Sequence, residues 1–304
     1  MSFERVAIIG LGLLGGSIGL AVAEHLPGVE TRGYDIDPAV RRRAAERGLT
    51  GAICETAAAA AEGADLVILC VPVGAMGEAA RAIAPALAPG ALVSDVGSTK
   101  QSIAAALAEA LPGRAVIPAH PVAGTEHSGP DAGFATLFHH RWCILTPPAG
   151  ADPELVDRLA TFWRALGSPV EVMDAGHHDR VLAVTSHIPH LIAYTIVGTA
   201  SDLEEVTRGE VIKYSAGGFR DFTRIAASDP TMWRDVFLHN REAVLEMLDR
   251  FLTDLALMRE AIRSSDGETM FDLFTRTRAI RRSIIEEGQD DARPDFGRKH
   301  NGDQ

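Results

Sequence analysis

The chain reads as an α/β protein, a Rossmann-type doubly wound and mostly parallel sheet followed by an all-α region. Three observations predict this. Apolar runs alternate with Ala-rich helical stretches up to about residue 173. A glycine-rich turn follows the first apolar run, and strand signals stop after about residue 174. That order is the one expected of a parallel sheet with helical crossovers.

"VAIIG", "TRGYD", "DLVILCVP", "LVSDVG", "AVIPAH", "WCILTP" and "VEVMD" read as strands. Most are continuous apolar runs, as strands covered on both faces should be. "SIGLAVAEHL", "PAVRRRAAERG" and "TKQSIAAALAEAL" read as helices between them. These elements define an expected cofactor-binding domain over residues 1–173. Residues 174–287 form an expected helical domain, and the polar, turn-rich residues 288–304 an expected disordered tail.

"DAGHHDRVLAVTSHIPHLIAYTIVGTA" predicts one long helix, capped by Asp174 and kinked at Pro189. "SDPTMW" predicts a helix start with Asp229 as N-cap and Pro230 in the first turn. Trp233, Phe237, Val244, Leu248, Phe251, Leu255, Met258 and Ile262 then recur at helical spacing. A seam of that length needs a partner, which neighbouring helices or a second subunit could supply, and a homodimer is expected.

A net charge of -12 and a pI near 5.4 argue against a nucleic-acid surface, which needs clustered Lys and Arg. The runs Arg41 to Arg43 and Arg276 to Arg282 fall in helical patterns and are expected to be solvated faces. Cys54, Cys70 and Cys143 are scattered, without metal-ligand spacing, which suits a reducing cytoplasm. No signal-peptide pattern opens the chain, and no apolar run is expected to reach the roughly 18 residues of a membrane span.

Gly10, Gly12 and Gly15 stand in G-x-G-x-x-G spacing, directly after a strand and at the start of a helix. In that context the backbone N–H groups around Leu13 and Leu14 would face a pyrophosphate. Twenty residues past Gly15, Asp35 ends the second strand, where it would bind an adenine ribose and favour NAD over NADP. Arg41 to Arg43 are the one feature that could favour a 2′-phosphate. Asp37 reads as an N-cap before Pro38.

Polar groups gather in "DVGSTK", with Ser98; in "AHPVAGTEHSG", with His120, Glu126 and His127; and in "SHIPH", with His187 and His190. "GGFRDFTRIAASDPTMW" adds glycines and arginines suited to an anion. With "GLGLLGGS", these pieces resemble the prephenate/arogenate dehydrogenase family, in the family's order and across nearly the whole chain. The likeness is greatest to its cyclohexadienyl dehydrogenase members.

The resemblance implies oxidation of a cyclohexadienol by NAD with loss of a ring carboxylate, in tyrosine biosynthesis. It implies His120 as the base that takes the hydroxyl proton and Ser98 as the group that orients that hydroxyl. It implies Arg224 as the carboxylate-binding arginine, with His190 lining the same pocket and Glu126 at its edge. Ser98 also reads as an N-cap, and His127, His187 and Arg220 as structural or peripheral groups. Two other readings stand beside this one. A β-hydroxyacid dehydrogenase or imine-reductase type would use a helical lysine, for which Lys213 is poorly placed. An NAD-binding sensor would leave His120 and Arg224 without a role.

Overall fold

The computed structural model describes residues 3–125, 127–202, 210 and 217–286; Glu126, Lys213 and the tail from residue 287 lie outside the described residues. Six strands form a wholly parallel sheet: β1 (Arg5–Ile9), β2 (Glu30–Tyr34), β3 (Ala52–Ile53), β4 (Leu66–Leu69), β5 (Leu92–Asp95) and β6 (Ala115–Val116). Their order is β3-β2-β1-β4-β5-β6, the dinucleotide-binding order with its switch point between β1 and β4.

Both faces of this sheet are buried, and the two-residue strand period divides the side chains between two cores. Val6, Ile8, Leu66, Ile68 and Leu92 face one core. It is closed by helices α1 (Leu13–His25) and α6 (Pro153–Ala165), the latter through Phe162 and Trp163. Ala7, Ile9, Val67, Leu69 and Val93 face the other, beneath α3 (Ala57–Ala61), α4 (Met76–Ile83) and α5 (Gln101–Ala110). Each buried Ile, Leu or Val contributes about 1.5–3 kcal/mol of transfer free energy. Helix α2 (Pro38–Arg47) starts at Asp37, whose side chain accepts from the Ala39 N–H as expected.

The expected strand "AVIPAH" is two strands in two sheets. Ile117 still donates to Val93 in the large sheet, but Pro118 has no N–H to continue the ladder. The chain instead enters a smaller sheet of β7 (Ala119–Pro121), β8 (Cys143–Leu145) and β9 (Val170–Val172), in which β7 and β8 are antiparallel. "WCILTP" and "VEVMD" therefore extend this second sheet, and His120 lies in the middle of β7 rather than at the last residue of a strand. β3 is too short for its sequence to announce it.

After Asp174, which caps α7 (Ala175–Leu182) through the His177 N–H, comes a π-helical turn over Ala183–His187 and then α8 (Ile188–Ser201). The expected kink at Pro189 is this wide turn: proline offers no N–H to the carbonyl four residues back, and the preceding backbone opens. The 27-residue span Ala175–Ser201 also corrects the membrane expectation. By length and composition it is apolar enough to cross a membrane, because an averaged window (mean hydropathy 1.4) tolerates isolated polar residues that break a run. Its polar residues His178, Asp179 and His187 are, however, bonded to other elements of the same compact unit.

A short helix α9 (Gly217–Thr223) and a 3-10 turn, Arg224–Ala227, lead to α10 (Pro230–His239), α11 (Arg241–Ser264) and α12 (Gly267–Glu286). Asp229 caps α10 through the Met232 N–H. The expected single seam breaks at Asn240, between α10 and α11. Trp233 and Val236 are buried, whereas Leu252, Leu255 and Ile262 are exposed on the single chain, as are Phe271 and Phe274 on α12. The chain forms two compact units, Met1–Met247 and Leu248–Gln304, so α7 to α10 belong to the unit that contains both sheets.

Candidate active site

The glycine-rich turn joins β1 to α1 at the switch point of the large sheet. Gly10 has φ +101°, and a Cβ there would lie 2.4 Å from the carbonyl oxygen of Cys70. A Cβ on Gly15 would lie 1.9 Å from the Gly10 oxygen. Only glycine lets strand, turn and helix close up this tightly. At Gly12 nothing lies within 4 Å of the Cβ position, so the turn presents bare backbone to open space. Gly12 is also the N-cap of α1 and supplies no side-chain cap, so the first-turn N–H groups, around Leu13 and Leu14, lack intrahelical acceptors. That cradle fits a pyrophosphate.

Asp35 follows β2, with one carboxylate oxygen on the Leu11 N–H at 2.9 Å and the other on the Asp37 N–H at 3.0 Å. It thus ties the glycine turn to the end of β2, and each oxygen keeps a lone pair for a ribose hydroxyl. Arg41 is not on a solvated face as expected: it lies over Tyr34, donates to the Asp35 and Ile36 carbonyls, and pairs with Glu55. Arg43 pairs with Glu46 and Asp131, and Arg47 holds the carbonyls of Pro130 and Gly133. The loop after the His120 strand is thereby fastened beside α1, where Phe134 N–H reaches the Ser17 hydroxyl.

His120 is 7% exposed, on β7. The residue before it is gripped at both ends. Ala119 N–H donates to Asp95 at 3.2 Å, and its carbonyl accepts from Lys100 Nζ at 2.6 Å. Lys100 and Asp95 form a wholly buried ion pair, 2.5 Å apart. Burial pushes the Asp95 carboxyl up and the Lys100 ammonium down, and the pair's mutual attraction offsets both. Burial likewise pushes His120 well below the usual imidazole range, assisted by His178, Lys100 and His187.

Ser98 is half-buried in the β5–α5 loop, between Asp95 and Lys100, which both bond to Ala119 on the His120 strand. It is not the N-cap of α5. That helix begins at Gln101, and its end is capped by Asp179 of α7, which accepts from the N–H groups of Lys100 (2.7 Å) and Gln101 (3.0 Å).

His190 stacks on Trp233, ring centroids 3.7 Å apart. Its Nδ1 donates to the Ser186 carbonyl at 2.8 Å, leaving Nε2 for another partner. Burial lowers its pKa first; the Ser186 bond opposes this, and the nearby Arg224 guanidinium lowers it further. Tyr194 holds the Arg224 turn against α8 by donating to the Ser228 carbonyl at 2.6 Å. Arg224 and His190 are therefore neighbours, although 34 residues separate them.

The histidines of "SHIPH" do not act as a pair. His187 is fully buried, bonded through Nδ1 to the Asn240 amide at 3.0 Å, and burial lowers its pKa to about 4. Sequence reasoning passed over His178, Asp179, Lys100 and Asp95 as site groups, and read Trp233 only as part of the helical seam. Only the "HHD" cluster at the head of a helix hinted at the first two, since their partners lie far away in the chain.

Two family models divide the chain, the prephenate dehydrogenase nucleotide-binding domain over residues 18–172 and the prephenate dehydrogenase dimerization domain over residues 174–276. Cyclohexadienyl dehydrogenase of Zymomonas mobilis is 44% identical over 282 residues, 93% of this chain and 96% of that protein. Prephenate dehydrogenase of Bacillus subtilis is 33% identical, over 89% of this chain and 73% of its own. The solved prephenate dehydrogenase from A. aeolicus, in complex with hydroxyphenyl propionate and NAD+, superposes with a TM-score of 0.87 at 32% identity, covering 93% of this chain and 99% of that one. The fold, the dinucleotide turn and these likenesses agree: the chain belongs to the prephenate dehydrogenase family.

Proposed function

We propose that this protein is the NAD-dependent dehydrogenase that converts prephenate to 4-hydroxyphenylpyruvate, arogenate to tyrosine, or both, with His120 as its base. The observation that carries the residue assignment is a buried imidazole on β7, which burial holds below the usual imidazole range, on a strand gripped by Asp95 and Lys100 at the two ends of the loop that contains Ser98. Held on the glycine turn, NAD would supply the acceptor for the hydride that leaves the ring carbon bearing the hydroxyl. His120 takes the hydroxyl proton, and Ser98 orients that hydroxyl. A neutral imidazole can do this where a protonated one cannot. Cleavage of the bond to the ring carboxylate then sends its electron pair into the ring, and the proton held by His120 returns to the ring oxygen. The aromatic phenol so formed makes the reaction strongly downhill.

Arg224 binds a substrate carboxylate in a fork, and His190 lines the same pocket. Glu126, assigned to the pocket edge by the family resemblance alone, lies outside the described residues. Gly10, Gly12 and Gly15 with Leu13 and Leu14 cradle the pyrophosphate, and Asp35 binds the adenine ribose. Residues 1–173 serve the cofactor, residues 174–287 serve the substrate and a homodimer contact, and the enzyme works in the cytoplasm. The description of the matched second region as a dimerization domain supports the dimer. The lysine-dependent alternative has no support in the described site. Initial rates with prephenate and arogenate, each with NAD and NADP, test the reading; no NADH formation with either substrate sinks it.

A further inference from the structure

We propose that His178 and Asp179 are positioning residues for His120, a hydrogen-bonded chain that sets its tautomer and leaves Nε2 as the basic nitrogen. This rests on the reading of His120 as the base. The proton positions follow from obligate donors. The two carboxylate oxygens of Asp179 accept from the backbone N–H groups of Lys100 and Gln101, at 2.7 and 3.0 Å, so Asp179 is an acceptor here. The oxygen shared with Lys100 also lies 2.9 Å from Nδ1 of His178, which must therefore carry the proton. A neutral imidazole has only one, so Nε2 of His178 is a lone pair. That lone pair lies 2.8 Å from Nδ1 of His120, which must donate to it. Nε2 of His120 is then unprotonated, and among the described residues no hydrogen bond engages it.

The opposite tautomer would set two lone pairs or two N–H groups face to face at 2.8 Å, where His178 and Asp179 are 0% and 1% exposed and water cannot intervene. Lys100, Asp95 and His187 are the other titratable groups acting on the two imidazoles. Burial keeps His178 neutral by lowering its pKa, against the Asp179 hydrogen bond. When the substrate proton reaches His120 Nε2, the Nδ1 proton stays in place. The resulting imidazolium is linked through neutral His178 to the Asp179 carboxylate, and returning the proton to the ring oxygen restores the starting state. An acceptor behind an imidazole that fixes its tautomer and orientation in this way is a known device of metal and catalytic histidines.

Nitrogen-15 NMR of the wild-type imidazoles at neutral pH reads the tautomer without any turnover. His120 should show a protonated Nδ1 and a pyridine-type Nε2; the reverse assignment overturns the proposal. Kinetics supply the second arm. His178→Leu removes the acceptor and should lower kcat about 10²-fold with little change in KM, the size of a mispositioned general base. His178→Gln places a carboxamide oxygen near the lost Nε2 and should keep kcat within about fivefold of wild type, because an acceptor is retained. Equal losses in both variants, or none in His178→Leu, overturn the chain. His120→Asn at full kcat would instead sink the base assignment alone, and the wild-type tautomer would still decide the relay.

Discussion

Nδ1 of His190 is held by the Ser186 carbonyl while its ring lies flat on Trp233, at 24° between planes. The stack fixes the imidazole on α8 at the place where the Arg224 turn is fastened to the same helix by Tyr194. A guanidinium so placed should hold a substrate carboxylate in ground and transition states alike. Arg224→Ala should therefore raise KM far more than it lowers kcat, at a cost of about 2–5 kcal/mol in kcat/KM. Arg224→Lys should recover only part of this, since a point charge lacks the fork. An unchanged KM for Arg224→Ala would move the carboxylate elsewhere.

His120→Asn should lower kcat by about 10²–10⁴-fold, as for loss of a positioned base, with little effect on KM. The pH profile is sharper evidence. From the residue type alone, the acidic limb of kcat/KM would fall near the ordinary imidazole pKa of about 6.5. Burial pushes His120 well below that range, so the base stays neutral, and the enzyme active, into more acidic solution. The wild-type limb should lie below the ordinary imidazole range and vanish in His120→Asn. A limb unchanged in the variant would point to another proton acceptor, with His190 next in line.

Asp35→Ser should weaken NAD and raise the ratio of NADP to NAD binding. The carboxylate favours a free 2′-hydroxyl and repels a 2′-phosphate, a discrimination of about 1–3 kcal/mol if the contact is desolvated. Part of the loss should come from the glycine turn itself, because Asp35 also holds the Leu11 N–H. Titration calorimetry with both cofactors measures the two affinities. Wild-type preference for NADP would overturn the assignment.

Acid should destabilise the fold before it protonates the carboxylates. The unfolded chain binds a proton at His187 below about pH 6.5, the ordinary imidazole value, whereas in the folded protein burial lowers this pKa to about 4. Between those values the unfolded state binds more protons. The stability from this site is complete above about pH 6.5 and falls as pH drops towards 4, by about 3 kcal/mol for this one group. Urea unfolding at neutral pH and at several acidic pH values measures the slope, and a flat profile would contradict it. His187→Gln should flatten it in part.

The exposed face of α11, with Leu252, Leu255 and Ile262, should lie in a contact between two copies of the chain. Light scattering should report a dimer at micromolar concentration. Leu255→Glu should shift it towards monomer, since burying an unpaired carboxylate costs several kcal/mol. A wild-type monomer would sink the prediction.

The sequence by itself determined the elements whose signal is local. The first strand, its Gly10-x-Gly12-x-x-Gly15 turn, Asp35 at the end of β2, and the caps Asp37, Asp174 and Asp229 are all set by neighbours within a few residues or by a strict spacing. His120, Ser98, His190 and Arg224 were legible as candidates because each sits in a dense polar motif, but their surroundings were not. The break of "AVIPAH" into two sheets depends on which strand accepts the chain after Pro118. The seam from Trp233 divides because Asn240 turns inward to the Asp179 carbonyl and His187. His120 and His178 are 58 residues apart, and Lys100 and Asp179 are 79 apart. No periodicity links such pairs. Only the packing of α7 against the start of α5 and against β7 brings two histidines and an aspartate into line, and burial there decides where each proton rests.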